Sequence, residues 1–240
     1  MGRQFFVTTL LPTLHFDKAI EMGFDEVIFF LKLNLSAKEM RQLDCLKTFY
    51  DIENACSYLS GRPMREEGSL PHDQLRMQIE EEELALPGAQ RFFIQFPSQE
   101  ARKKHASELI RFFLEEIPET YPTFIKRYFA LEHTTKILTA YLRTKKQEFP
   151  DTQLGFTLSE TKSWPEIFTP LEKCMSLSRA CDLAEEVAKW KFHAIDTLCD
   201  RSEPFSLDYI FAYLLKLRII ENRQELLDPS HINILERIQQ

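Results

Sequence analysis

The sequence predicts an all-α protein of roughly two helical units. Three observations carry this. The chain has only six Gly against twenty Phe and many Leu, Glu and Lys, a balance that favours helices over turn-rich β architecture. Apolar residues recur three or four positions apart through several long stretches. Those stretches open and close on helix punctuation, such as Ser36 with Glu39 at one start and Gly61-Arg-Pro63 at the following stop. With 240 residues, 44% of them apolar, the chain is long enough to bury a substantial core. We divide it into an N-terminal helical unit, residues 1–97, and a C-terminal helical unit, residues 98–240.

Residues 4–11 read either as a short strand or as an apolar helix, ended by Pro12. No A-x-A cleavage site follows, so the run is structural rather than a signal peptide. Residues 24–33 form an apolar segment. Ser36 then opens a helix as N-cap, with Glu39 completing a capping box. Met40, Leu43, Leu46, Phe49 and Tyr50 line one face of it, and it continues toward Leu59.

Residues 62–90 are a polar insert in which seven acids accompany three arginines. The run Glu80 to Glu83 reads as a solvated helix face. Consecutive carboxylates radiate around a helix, so the run is no cation site. From Ser98 the helical period returns through Ala101, His105, Leu109, Phe112, Phe113 and Ile117. A second helix covers about 121–146, with Phe124, Tyr128, Leu131, Thr135, Leu138 and Leu142 on its apolar face. A third block runs from Trp164 to Leu198 and includes Leu171, Met175, Leu177, Leu183, Val187, Trp190 and Ile195.

Ser202-Glu-Pro204 leads into the last helix, whose buried stripe is Leu207, Ile210, Phe211, Leu214, Leu217 and Ile220. Ser206 sits at its N-cap position, Asp208 places negative charge in its first turn, and Asp228-Pro229 stops it. A weak internal repeat joins Leu46-Lys-Thr-Phe-Tyr-Asp-Ile-Glu-Asn54 to Ile125-Lys-Arg-Tyr-Phe-Ala-Leu-Glu-His133.

Signatures of bond chemistry are missing. The six Gly are scattered, with no phosphate-cradling loop, so ATP hydrolysis by this chain is not expected. His15, His72, His105, His133, His193 and His231 are far apart, and no pair has zinc-ligand spacing. No nucleophile elbow occurs. Cys45, Cys56, Cys174, Cys181 and Cys199 form no C-x-x-C pair and read as reduced core thiols of a cytosolic protein. Acid pairs such as Glu115-Glu116 and Glu185-Glu186 read as solvated. No metal or cofactor is expected.

The net charge of −7 argues against a nucleic-acid partner, and no apolar run is long enough to span a bilayer. Residues 101–150 nonetheless hold ten Lys or Arg against six acids, a local +4 that leaves −11 elsewhere. Lys126, Arg127, Arg143, Lys145 and Lys146 are therefore the candidate docking residues for an acidic protein partner. Arg62 and Arg143, each following a motif helix, also read as capping or solvating residues.

Four segments resemble the C-subunit group of the V-type ATPases, particularly its short bacterial relatives. They are Phe5-Phe-Val-Thr-Thr-Leu-Leu-Pro12, Phe49-Tyr-Asp-Ile-Glu-Asn54, Tyr128-Phe-Ala-Leu-Glu-His133 together with Leu142-Arg143, and Leu207-Asp-Tyr-Ile-Phe-Ala-Tyr-Leu-Leu-Lys-Leu-Arg-Ile-Ile-Glu221. The third departs from the pattern, with Ala130 for an Asp and His133 for an Asn. The resemblance implies a non-catalytic helical funnel on the cytoplasmic face of the membrane. It would couple the central shaft, made of the D and F subunits, to the proteolipid ring without entering the bilayer. The alternatives are a stand-alone helical interaction scaffold unrelated to the ATPase, and an enzyme with dispersed carboxylates.

Overall fold

The computed structural model describes residues 2–66, 68–146, 165–175, 180–199 and 206–227. Among them are eleven α-helices and no strand, so the all-α expectation holds. The chain divides into two compact units, one of Met1–Leu35 with Thr134–Gln240, the other Ser36–His133. The sequence boundary at 97/98 falls inside the second of these. No helix among the described residues is long and apolar enough to cross a membrane.

The Ser36–His133 unit is built around α3 (Ala37–Leu59). Its capping box forms as the sequence predicts. The Glu39 N–H donates to the Ser36 hydroxyl at 3.3 Å, and the Ser36 N–H donates to the Glu39 carboxylate at 2.7 Å. Helix α4 (His72–Glu80) packs on α3, as does α7 (Glu108–Glu115), which also holds α5 (Ala89–Gln95). The short α6 (Gln99–Lys104) and the first turns of α8 (Thr123–Lys146) complete the unit.

Phenylalanine fills its core. Phe92, Phe112, Phe113, Phe124 and Phe129 are all essentially without exposure. Phe49 stacks on Phe129 with ring centroids 4.7 Å apart, and Phe113 meets the same ring at 5.7 Å. Such pairs add about 1 kcal/mol each beyond burial of their area. The two segments of the weak repeat therefore pack on each other inside one unit.

Two expectations are corrected here. The period through 98–117 is broken by a turn at residues 105–107, so it makes two helices, α6 and α7. The physical cause is local: the His105 ring stacks on Phe96 at 4.6 Å, and Arg102 turns back onto the Phe96 and Pro97 carbonyls. The acid run is exposed as expected, but only Glu80 is helical. Glu81, Glu82 and Glu83 lie past the end of α4, where Glu82 takes a left-handed φ of 60°.

In the other unit, residues 4–11 resolve as helix. Helix α1 (Gly2–Leu10) accommodates Thr8 and Thr9 because each hydroxyl donates back to a carbonyl of the preceding turn. Helices α1 and α2 (Phe24–Asn34) pack together and against α11 (Leu207–Leu227). Helix α11 also packs along α10 (Ala180–Asp196), which in turn holds α9 (Pro165–Met175).

The predicted stripe of α11 is buried from Ile210 to Ile220, and Ala212, Tyr213 and Leu215 are buried beside it. Two cations brace its flanks by covering aromatic rings. Lys216 pairs with Asp196 at 2.8 Å over Phe192, and Arg223 pairs with Glu185 at 2.7 Å over Phe16. Ser202-Glu-Pro204 and Asp228-Pro229 lie outside the described residues, as do Trp164 and Leu177.

Candidate functional site

The densest buried polar chemistry lies on α3. Asp51 and Asn54, one helical turn apart on one face, are each 1% exposed. Their side chains hold the chain that follows α3. Asn54 donates to the Arg65 carbonyl at 2.8 Å and accepts from the Arg65 N–H at 2.7 Å. Asp51 accepts from the backbone N–H groups of Ser69 at 2.8 Å and Leu70 at 3.0 Å, and from the Ser69 hydroxyl. The approach is so close that a Cβ on Gly68 would lie 2.4 Å from the Asp51 carboxylate. His72 meets the Arg65 carbonyl at 2.8 Å and closes the clamp.

A second polar group adjoins this one. Arg65 reaches toward Glu53, 4.0 Å away. On α8 the Tyr128 hydroxyl donates to the Glu132 carboxylate at 3.3 Å, and Glu132 is 8% exposed. Burial, and next the Glu132 charge, push the Tyr128 phenol well above its usual range. It is thus a neutral donor, not a base. Cys56 is similarly inert: burial raises its thiol to about 12, and its Sγ donates to the Ala106 carbonyl at 3.1 Å.

The other unit holds a cleft of about 380 Å³ beside the start of α2, lined by Gly23, Phe24, Asp25, Arg218, Glu221 and Gln224. The positive end of α2 is already served there. The Phe24 N–H donates to Glu221 at 2.7 Å, and Glu221 pairs with Arg218 at 3.2 Å. Among the described residues no group of three His, Cys, Asp or Glu is placed to hold a metal.

The predicted docking residues fall in both units. Lys126 is half-buried and pairs with Glu119 at 3.2 Å, whereas Arg127 is exposed. Arg143, Lys145 and Lys146 occupy the last turn of α8, and their side chains lie outside the described ones. The Asp-x-x-Asn pattern at 51–54 is visible in the sequence, but what it holds is not. The usable signal is two short polar residues on an otherwise apolar helix face, followed downstream by Gly68-Ser69.

The fold and these contacts define an all-helical protein whose described buried polar groups are mostly engaged in holding its own loops and helix ends. Residues 1–231 match the family described as "Protein of unknown function (DUF2764)", and the chain belongs to that family. It is 23% identical over 151 residues to an uncharacterized protein of Chlamydia trachomatis serovar D, across 60% of this chain and 57% of that protein. A Chlamydia muridarum protein, also uncharacterized, is 24% identical over 152 residues with the same coverage. The matches thus span a little over half the length of these relatives. No solved structure matches the chain.

This family assignment corrects the resemblance to the V-type ATPase C-subunit group, because the family matched over nearly the whole chain is a different one. The segments that carried the resemblance have structural explanations. Asp51 and Asn54 clamp a loop, and the Leu207–Leu227 run is what a buried, acid-started helix requires. The funnel form, the D and F subunits of the shaft and the proteolipid ring were implied by that resemblance alone.

Proposed function

We propose that this protein is a helical protein–protein interaction module that performs no bond chemistry of its own. The supporting observation is an apolar surface on α1 and α2. Phe5, Phe6 and Leu10 on α1 are about half exposed, Phe29 is 64% exposed and Leu33 69%. These helices pack on each other, so the residues belong to one region of the unit. Apolar surface gathered in this way marks an interaction site, because water contact costs about 25 cal/mol per Å². The buried carboxylates give no rival account: Asp51 holds backbone donors, and Glu132 faces a protonated phenol.

The test is cross-linking in extracts of the source organism, with linked residues mapped by mass spectrometry. Wild-type protein should link to a macromolecular partner through α1 and α2, and the Phe29→Glu/Leu33→Glu variant should not. Absence of any cross-link on these helices would reject the reading.

A further inference from the structure

Helix α2 has one side seated on the core by Val27 and Leu31, neither with any exposure. At 100° per residue the opposite side comprises Asp25, Glu26, Phe29, Lys32 and Leu33, and all five are exposed. Acids occupy the first turn of this outer face and Lys32 its last. Lys32 makes no ion pair among the described residues. An outer face that is apolar at its centre and oppositely charged at its ends is complementary to itself when turned end for end.

We propose that this face binds a second copy of the same chain, with α2 pairing antiparallel about a two-fold axis at Phe29. The inference rests on the interaction reading above and names its partner. The geometry follows from the helix alone. A two-fold axis through Phe29 places position 29 − n of one copy against position 29 + n of the other. The operation keeps each flank of the outer face with its own counterpart, and Asp25 and Lys32 lie on the same flank. Asp25, four residues before the axis, therefore meets Lys32, three residues after it, on the second copy, and the reciprocal pair forms with it. Phe29 meets its own copy at the axis, where a fully covered aromatic anchor contributes most. The antiparallel arrangement also sets opposite ends of the two helix dipoles side by side.

Phe29 and Leu33 form the apolar centre of this face, and a second copy that also reached Phe5, Phe6 and Leu10 of the adjoining α1 would cover about 1,200 Å² in total, the lower limit of a standard specific interface.

Sedimentation velocity on the purified full chain, over a concentration series, tests this. Wild-type protein should populate a dimer. Phe29→Glu should be monomeric with unchanged helical circular dichroism. Lys32→Glu, an exposed change that leaves the fold intact, should weaken dimerisation about tenfold at low salt by setting like charges together. The Asp25→Lys/Lys32→Glu exchange should recover part of that loss. Wild-type protein that stays monomeric, or a dimer indifferent to Phe29→Glu and Lys32→Glu, overturns the proposal. A monomer that instead binds lipid vesicles, or another protein cross-linked through Phe29, also overturns it. The heterologous cross-link would leave the interaction reading standing, whereas a monomer with no cross-link on α1 or α2 would remove both.

Discussion

Asp51 and Ser69 are joined twice, through the Ser69 N–H at 2.8 Å and through its hydroxyl, across 18 residues of chain. Asp51 also accepts from the Leu70 N–H, so one buried carboxylate fixes the path by which the chain leaves α3 and enters α4. Removing it orphans three donors, of which those near the surface can turn to water. Asp51→Ala should cost about 2 kcal/mol in urea unfolding. Asp51→Asn, which keeps one acceptor oxygen, should cost less. Faster proteolytic nicking within residues 62–70 should accompany the loss, and unchanged stability with unchanged nicking would refute the clamp.

Gly68 and Gly88 are required for different reasons. A Cβ at Gly68 would press on the Asp51 carboxylate, so Gly68→Ala should destabilise wild-type protein but much less an Asp51→Ala background, giving a strongly non-additive cycle. Gly88 has φ of +77°, and a Cβ there would fall 2.4 Å from the Phe112 carbonyl carbon in the backbone of α7. No side-chain adjustment relieves that contact. Gly88→Ala should cost about 3 kcal/mol or more, with no second-site rescue at Asp51. Equal rescue of both glycine variants by Asp51→Ala would contradict this distinction.

How far the sequence can be read depends on whether an element's cause is local. Helix α3 is legible because Ser36, Glu39 and the face from Leu43 to Phe49 all act within a few residues of one another. Residues 4–11 are ambiguous because Val7, Thr8 and Thr9 are β-branched, and only the back-bonds of the threonine hydroxyls make the helix comfortable. The break at 105–107 depends on Arg102 and His105 finding Phe96, Pro97 and Phe93, which no period reveals. The Asp51–Asn54 pair is visible as a pattern, but its partners lie 11 to 19 residues away in a loop with no period of its own. The misleading family resemblance has the same root, since apolar spacing after an acid is common to many buried helices.

Arg102 is the clearest case of a charge used as a structural brace. It is 7% exposed, its Nε donates to the Phe96 carbonyl at 2.8 Å, its Nη2 donates to the Pro97 carbonyl at 2.9 Å and to Glu82, and its guanidinium lies over Phe93 at 5.0 Å. Lysine lacks the planar fork needed to serve these acceptors together. Arg102→Lys should therefore lose nearly as much as Arg102→Ala, about 2 to 3 kcal/mol. Glu82→Ala should lose under about 1 kcal/mol, because Glu82 is half exposed and the two carbonyls remain. Chemical unfolding of the three variants decides the point. Full rescue by lysine would mean that charge, not geometry, matters at this site.

His133 sets a pH dependence whose sign follows from its surroundings. Burial lowers its pKa from the ordinary 6.5, Glu108 opposes that shift, and Arg111 adds to it. The unfolded chain therefore binds a proton at His133 more readily than the folded one. Between the folded value and 6.5 the unfolded state carries more protons, so stability rises with pH in that window and falls as the pH drops below 6.5. Urea titrations of wild-type and His133→Gln protein at about pH 7.5 and about pH 5.5 isolate this residue from the other histidines. Wild-type protein should lose more stability on acidification than the variant. The same loss in both proteins would mean that His133 takes up its proton in the folded unit as easily as in the unfolded chain, and that its burial between α7 and α8 has no energetic consequence.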